Sequence, residues 1–207
     1  MDIKELIAAQ RADLATMLGG LPEEAWDSPT LCERWRVREV VAHMTMPFRY
    51  GMEEFMAELG ESDGDFTAMS DRVAARDAAA LSPAELTETI RTNLRHPWEP
   101  PGGGLTAALS HDMIHGLDIA VPLGLGFTVP EERLRLILPS SADETSVKFF
   151  DTDLDGIEFR ATDMDWTFGS GTRLAGAGQD LLLVICGRKL PAGHLNGEPS
   201  ARFTAAA

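Results

Sequence analysis

The 207-residue chain has a formal net charge of -15 at pH 7, and 44% of its residues are hydrophobic. The acidic balance argues against nucleic acids and anionic membrane surfaces as partners, because binding their phosphates requires an excess of Lys and Arg. No stretch approaches about 18 consecutive apolar residues, so we expect no transmembrane helix. The acidic, amphipathic N-terminus does not resemble a signal peptide.

Cysteine usage favours a reduced environment. The two cysteines, Cys32 and Cys186, lie far apart in the sequence, and neither has a metal-binding spacing such as C-x-x-C. We therefore expect a cytoplasmic protein in which both thiols are free. A free cysteine usually packs as a small hydrophobic residue, so we expect both side chains to be buried.

Apolar residues recur at helical spacing along most of the first 127 residues. This pattern predicts an all-helical part, and the tryptophan-containing connector at 21–35 is expected to pack over the end of the helices. The predicted helices span residues 2–18, 37–59, a segment that ends near 80, residues 83–95, and a histidine-rich segment from Leu105 to the stop signals Pro122 and Gly124.

Local signals mark where these helices begin and bend. Asp2 is a candidate N-cap of the first helix, and Ser82 with Glu85 has the spacing of a capping box. Pro47 lies inside the second predicted helix, one turn after His43. Because proline lacks the N–H that would bond to the preceding turn, its position predicts a kink beside His43.

The remainder of the chain has a mixed pattern. Alternating residues on either side of an Asp-rich turn predict two short strands, and a Leu, Val and Ile run predicts a buried helix. The predicted order is a helix at 131–138 whose continuation through 143–150 stays open, strands at 156–162 and 165–168, the buried helix at 176–187, and a tail at 190–203 that is a loop with a candidate last strand. The whole pattern predicts an α+β fold, with a helical bundle over residues 1–127 and a small α/β domain over residues 128–207.

Three of the five histidines lie on predicted helices. His111 and His115 are four residues apart, so their rings share one helix face and can hold one divalent metal. His43, on an otherwise apolar helix, is the third candidate ligand. Three neutral imidazoles would leave coordination positions open, as in catalytic rather than structural sites. We expect His96 and His194, in loops rich in Pro and Gly, to be ordinary surface residues.

Other motifs are weaker. Asp118 is a candidate fourth ligand, a hydrogen-bond acceptor that fixes an imidazole tautomer, or a structural residue at the helix end, and we favour the last two. Asp112 lies about 100° around the helix from His111 and is expected to face solvent. The triple glycine at 102–104 follows no predicted strand and lacks a P-loop lysine, so we interpret it as a linker. The sequence has no G-x-S-x-G motif and no dinucleotide-binding fingerprint.

Two longer segments resemble the signatures of one family. The segment PTLCERWRVREVVAHM (Pro29–Met44) resembles the cysteine–tryptophan–valine–arginine–valine–alanine–histidine signature of the mycothiol-dependent maleylpyruvate isomerase family, and SHDMIHGLDIAVPLG (Ser110–Gly124) resembles its second signature. Phe159–Arg188 resembles the small α/β domain that accompanies them. The resemblance covers nearly the whole chain and extends to the DinB-like superfamily.

This resemblance implies a DinB-like four-helix bundle with a metal at one end, held at the positions of His43, His111 and His115. It further implies an actinobacterial enzyme with mycothiol as thiol cosubstrate. Zinc is the expected metal, with nickel or iron as alternatives. In the isomerase the position of His111 is a glutamate, so this chain is closer to the three-histidine pattern of related thiol transferases.

The function implied is isomerisation or S-transfer on a small electrophile that a thiolate attacks. Two alternatives stay open: a hydrolase that uses a metal-bound hydroxide without a thiol, and a non-catalytic metal-binding or regulatory module. The expected partners are a small-molecule substrate and a low-molecular-weight thiol, and the protein is expected to be a monomer or a homodimer. Arg49 and Tyr50, about two turns after His43, are candidate contacts for the thiol, although we favour a solvated surface charge as the explanation of Arg49.

Overall fold

The structure, a computed structural model, describes residues 2–206 and has helices followed by a small sheet. The chain divides into two compact units, Met1–Ile119 and Ala120–Ala207. The sequence-based division into domains 1–127 and 128–207 stays a prediction beside this one. No helix within the described range is long and apolar enough to cross a membrane.

The first unit is a bundle of helices around an apolar core. The helices are α1 (Ile3–Gly19), α2 (Val37–Arg49), α3 (Met52–Gly60), α4 (Phe66–Ala80), α5 (Pro83–Thr92) and α6 (Gly104–Ala120), with a 3₁₀ turn at Glu23–Asp27. Helix α2 packs against α4 and α5, α1 packs against α5, and α3 lies against α4. Side chains such as Leu14, Val40 and Leu117 are fully buried in this unit.

The predicted helix starts are confirmed. The Asp2 carboxylate accepts the Lys4 N–H at the start of α1. At the start of α5, the Ser82 hydroxyl accepts the Glu85 N–H while the Glu85 carboxylate accepts the Ser82 N–H at 2.8 Å, which completes the capping box. These side chains satisfy backbone donors that the first turn of a helix leaves unpaired.

The predicted single helix over residues 37–59 is wrong, because it is divided into α2 and α3. The backbone leaves the helical region at Tyr50 (φ -106°, ψ 128°) and stays extended at Gly51. The Glu54 carboxylate then accepts the Gly51 N–H at 2.8 Å and starts a new helix. Pro47 lies inside α2 without ending it. The break comes at Gly51, where a new helix N-terminus begins, although the apolar periodicity of the sequence continues through both helices.

Two other predicted helices differ from expectation. Helix α5 ends at Thr92, three residues before the predicted end, and Arg95 beyond it pairs with Glu5 of α1. The sequence left open whether a helix continues after residue 138. The structure has two helices in this region, α7 (Glu131–Ser141) and α8 (Glu144–Phe149). Asp143 separates them, because its carboxylate accepts the Ser146 N–H as the N-cap of α8.

The second unit contains a four-stranded sheet in the order β2-β1-β3-β4. The elements are β1 (Ile157–Ala161), β2 (Thr167–Gly169), β3 (Thr172–Gly176), α9 (Gly178–Ile185) and β4 (Leu195–Asn196), followed by a 3₁₀ turn at Glu198–Phe203. Strand β1 pairs antiparallel with β2 and parallel with β3, and β3 pairs antiparallel with β4. Helix α9 is the predicted buried helix, and it packs against β1, β3 and α7.

The sequence predicted β1 and β2 but missed β3. In β3 only Leu174 and Gly176 are buried, so its apolar alternation is nearly invisible. A close approach of two backbones fixes the start of this strand. Gly171 has φ +130°, and a Cβ there would lie 2.0 Å from the Gly156 carbonyl oxygen, which only glycine avoids.

The capping box of α5 gives a stability prediction. Ser82→Ala removes the hydroxyl that accepts the Glu85 N–H, so we expect it to lower the free energy of unfolding by about 1 kcal/mol. Urea denaturation followed by circular dichroism measures this change. The control is Thr16→Ala on the exposed face of α1, where we expect less than about 0.5 kcal/mol. Equal losses in the two variants would contradict the cap.

Candidate metal centre

Three histidines from two helices meet inside the first unit. His43 on α2 and His111 on α6 face each other with their Nε2 atoms 3.2 Å apart, and one ring nitrogen from each of His43, His111 and His115 lies within 4.8 Å of the other two. The ring centroids are 4.7–5.2 Å apart. The structure therefore brings together all three residues that the sequence singled out as metal ligands.

Helix periodicity explains how α6 presents this face. His111 and His115 are one turn apart, so their side chains share a single stripe, where the two rings meet edge to face at an interplanar angle of 81°. On the other faces, Leu109, Met113 and Leu117 are fully buried and fix the rotation of the helix. His43 is only 8% exposed, because α2 is apolar along most of its buried stripe.

Burial changes the proton affinity of His43. Desolvation, together with the neighbouring His115 and His111, holds the pKa of His43 well below its usual value, although Asp118 opposes this shift. The imidazole is therefore neutral at neutral pH, and one of its ring nitrogens carries a free lone pair. Its Nδ1 atom is buried and has no hydrogen-bond partner within residues 2–206.

Asp118 lies against the outer side of His115. The Asp118 Oδ2 atom is 3.0 Å from His115 Nδ1, and the side chain is completely buried. This contact corresponds to the acceptor role considered for Asp118 from the sequence. It leaves the opposite ring nitrogen, Nε2, for the side of His115 that faces the other histidines.

The expectation that Asp112 faces solvent is wrong. Its side chain is 2% exposed, its Oδ2 accepts the Arg11 Nε–H at 2.8 Å, and its Oδ1 is 3.1 Å from His111 Nδ1. Arg11 of α1, itself only 1% exposed, reaches this part of α6. A position on the helical wheel predicts exposure only if nothing else in the fold contacts it, and here the Arg11 side chain does.

The prediction that both cysteines are buried hydrophobic residues is correct for Cys186 and wrong for Cys32. Cys186 is 1% exposed. Cys32 is half-buried, its thiol donates to Asp118 Oδ2 at 3.0 Å, and its sulfur is 3.8 Å from His115 Nδ1. The connector before α2 is fixed to α6 because the Leu31 N–H donates to the Asp118 carbonyl at 3.0 Å. Cys32 thereby joins the surroundings of the histidine cluster.

Two tryptophans flank the cluster. The ring of Trp35 lies 4.8 Å from that of His43, and the ring of Trp98 lies 5.1 Å from that of His111, centroid to centroid. The Trp35 Nε1–H donates to Asp71 at 3.0 Å, which fixes the orientation of the indole. Both rings are half-buried. They are flat apolar surfaces beside the histidines, and the sequence identified neither as part of the site.

The other candidate residues lie outside the cluster. Arg49 donates to Asp77 at 2.7 Å and the Tyr50 hydroxyl donates to the same carboxylate at 2.9 Å, so both are engaged in an ion-pair network. His96 and His194 are half-buried rather than ordinary surface residues. The His96 carbonyl accepts an Arg11 N–H at 2.8 Å, and burial and Arg11 lower the pKa of its ring. In the second unit, His194 Nδ1 lies 3.2 Å from Asp180.

Comparisons with known proteins identify relatives of this chain. Residues 7–97 match the family model described as the mycothiol maleylpyruvate isomerase N-terminal domain. His43 lies within the matched range, whereas His111 and His115 lie beyond it. Uncharacterized proteins from two strains of Mycobacterium tuberculosis are each 24% identical to the chain, over 88% of its length and 84% of theirs.

Solved structures share the fold. The crystal structure of the mycothiol-dependent maleylpyruvate isomerase aligns with a TM-score of 0.65 at 13% identity, covering 96% of this chain and 92% of that chain. A mutant of that isomerase aligns with a TM-score of 0.61 at 14% identity over the same shares. At such low identity the likeness concerns the fold alone, and it confirms the predicted α+β architecture of a helical part followed by a small sheet.

The different surroundings of the two cysteines give a labelling prediction. We expect a thiol reagent such as Ellman's reagent to modify Cys32 in the folded protein and to reach Cys186 only after denaturation, because burial at 1% exposure blocks access. Absorbance counts the thiols that react. Cys32→Ser should abolish the fast phase and Cys186→Ser should preserve it. Fast labelling that survives in Cys32→Ser would contradict the structure.

Proposed function

We propose that the chain, whose residues 7–97 match the mycothiol maleylpyruvate isomerase N-terminal domain, is a metal-dependent enzyme that uses a low-molecular-weight thiol. The proposed ligands are His43, His111 and His115. The proposed reaction is isomerisation or S-transfer on a small electrophile, with mycothiol as the thiol. The observation that carries the proposal is the convergence of three ring nitrogens within 4.8 Å.

The donor set fits a divalent metal. Three imidazoles are the ligands of many catalytic zinc sites, and three protein ligands leave a coordination position open for a further molecule. The 3.2 Å between the Nε2 atoms of His43 and His111 is a separation that two ligands of one ion can adopt. Zinc is the metal we propose, with nickel or iron as alternatives that the same nitrogen donors suit.

The surroundings of the ligands support the same assignment. Because its pKa is lowered, His43 offers a neutral ring nitrogen without having to lose a proton at neutral pH. The Asp118 contact orients His115, as carboxylates commonly do for metal-binding histidines. A divalent ion bound there lowers the pKa of a thiol or water that it contacts and so favours the thiolate.

The chain's own residues would shape the space for the reacting molecules. Trp35 and Trp98 bring apolar ring surfaces to within about 5 Å of two proposed ligands and exclude water from those directions. In the proposed reaction, the thiol sulfur adds to an electrophilic carbon. Release of a leaving group completes an S-transfer, whereas bond rotation followed by elimination of the thiol completes an isomerisation.

The histidine at position 111 limits how much of the isomerase's chemistry we propose for this chain. By resemblance the founding enzyme has glutamate at this position, and an imidazole there lowers the negative charge of the ligand set by one unit. A less negative set binds a cation with less electrostatic support and favours a softer metal than a carboxylate does. We therefore propose the thiol-dependent reaction class and treat maleylpyruvate as the first substrate to assay.

The metal assignment predicts a loss of metal on ligand removal. We expect about one equivalent of zinc, nickel or iron in untagged protein measured by elemental analysis, and at least about tenfold less in His115→Ala. His194→Ala is the matched control, because this half-buried histidine belongs to the second unit and its replacement should leave the metal bound. Circular dichroism confirms that the variants are folded. Wild-type protein that stays free of metal after reconstitution would refute the proposal.

The thiol dependence predicts how activity responds to cosubstrate. We expect the metal-loaded protein to turn over maleylpyruvate or another small electrophile only when mycothiol is present, and His43→Ala to lose this turnover. Product analysis with and without the thiol measures it. Turnover of an ester or amide without thiol would favour the hydrolase alternative instead. Stoichiometric metal with neither activity would favour the non-catalytic module.

A further inference from the structure

We propose that Asp112, held by the buried guanidinium of Arg11, is a positioning residue that keeps the Nε2 atom of His111 free for a metal. The inference rests on the proposed metal site, and it concerns two residues, Asp112 and Arg11, that are not among the proposed ligands. Both were absent from the site that the sequence predicted, because Asp112 was expected to face solvent and Arg11 lies 101 positions away.

The geometry connects three side chains in a row. Arg11 Nε donates to Asp112 Oδ2 at 2.8 Å, and the other carboxylate oxygen, Oδ1, lies 3.1 Å from His111 Nδ1. On the opposite side of the same ring, His111 Nε2 faces His43 Nε2 at 3.2 Å. Asp112 therefore contacts the ring nitrogen that points away from the cluster.

Hydrogen-bond chemistry then selects one tautomer of His111. A carboxylate has only acceptors, so the nitrogen that faces it must carry the proton. A neutral imidazole has a single N–H, and with that proton on Nδ1 the Nε2 atom has a free lone pair. The lone pair points toward His43, where the proposed metal would lie. The contact between Asp112 and His111 thus prepares the ring before any ion binds.

Arg11 fixes the carboxylate that makes this selection. It is 1% exposed, and its Nη1 donates to the main-chain carbonyls of His96 at 2.8 Å, Asn93 at 3.3 Å and Leu94 at 3.5 Å. Its guanidinium carbon lies 4.8 Å from the centre of the Phe48 ring. With so many contacts the guanidinium has little freedom, and its charge balances that of Asp112.

Arg11 also holds the chain segment that leads to Trp98. The three carbonyls that it binds belong to residues 93–96, and Trp98 two residues later packs against the ring of His111. The same guanidinium therefore supports both neighbours of that ring, the carboxylate beside Nδ1 and the indole beside its edge. This double role makes Arg11 a riskier residue to replace than Asp112.

Asp112→Asn is the decisive variant, because it keeps the shape and exchanges one oxygen for an NH₂ group. The permanent charge of Arg11 will attract the amide oxygen, so the NH₂ group turns toward His111. His111 Nδ1 must then accept, which moves the ring proton to Nε2 and blocks the lone pair. We expect Zn²⁺ affinity about 10- to 100-fold weaker, measured by competition with a chelator.

Asp77→Asn is the matched control. Asp77 is also an acidic residue of the first unit that is almost fully buried, at 5% exposure, and pairs with an arginine, Arg49, at 2.7 Å. The hydrogen bonds of its carboxylate recorded within residues 2–206 go to Arg49, Tyr50 and Arg76, and none goes to a histidine. It reproduces the loss of a buried ion pair, so we expect Zn²⁺ affinity to stay within about twofold of wild type.

A second readout reports the proton directly. Long-range ¹H–¹⁵N NMR of the metal-free protein distinguishes which ring nitrogen is protonated, and a purely structural effect of the substitution would not move the proton. We expect His111 to carry it on Nδ1 in the wild type and on Nε2 in Asp112→Asn. If Asp112→Asn does not fold, the wild-type tautomer decides the inference, and a proton on Nδ1 of His111 supports the positioning role.

The outcomes separate this inference from the proposed function. Wild-type affinity in Asp112→Asn, or a loss no larger than in Asp77→Asn, overturns the positioning role and leaves the metal site standing. An Nε2 proton on His111 in the wild type overturns it as well. Failure of wild-type protein to bind Zn²⁺ refutes the proposed function, and the NMR tautomer then decides the role of Asp112 alone.

Discussion

The need to pair buried charged groups along α6 determines how the first unit is assembled. Asp112 and Asp118 are 2% and 0% exposed, and a carboxylate out of water is strongly destabilising unless donors surround it. Each carboxylate contacts a histidine of α6 itself and also receives one donor from an element distant in sequence. Arg11 of α1 donates to the Asp112 carboxylate, and Cys32 of the connector before α2 donates to the Asp118 carboxylate. The position of α6 is thus tied to its neighbours by polar contacts as well as by its apolar faces.

The same pairing gives the histidine cluster its character. His111 and His115 each have a carboxylate at Nδ1, whereas His43 has only buried surroundings and a lowered pKa. The negative charge therefore lies just outside the rings. Such an arrangement makes the potential at the cluster more negative while keeping both carboxylates at the outer ring nitrogens.

The rest of the fold supplies rigidity around this cluster. Capped helix starts, the break at Gly51 and the packing of α2 against α4 and α5 set the position of the helix that carries His43. The second unit has its own core, with α9 packed on β1 and β3. The spacing of its apolar residues differs from that of the first unit, because a strand buries alternate residues whereas a helix buries the residues along one face.

Local physics made much of this protein readable from the sequence. Helical periodicity, caps at Asp2 and Ser82, and the i, i+4 spacing of His111 and His115 depend on neighbouring residues only, so they indicated the bundle, the start of α5 and the pair of candidate ligands. Contacts between distant residues were not readable in this way. Only the family resemblance indicated that His43 meets the histidines of α6. The tertiary structure alone showed the burial of Asp112 by Arg11, the thiol contact of Cys32 and the two flanking tryptophans. Which helix covers which face depends on the packing of the whole unit, and no local pattern encodes it.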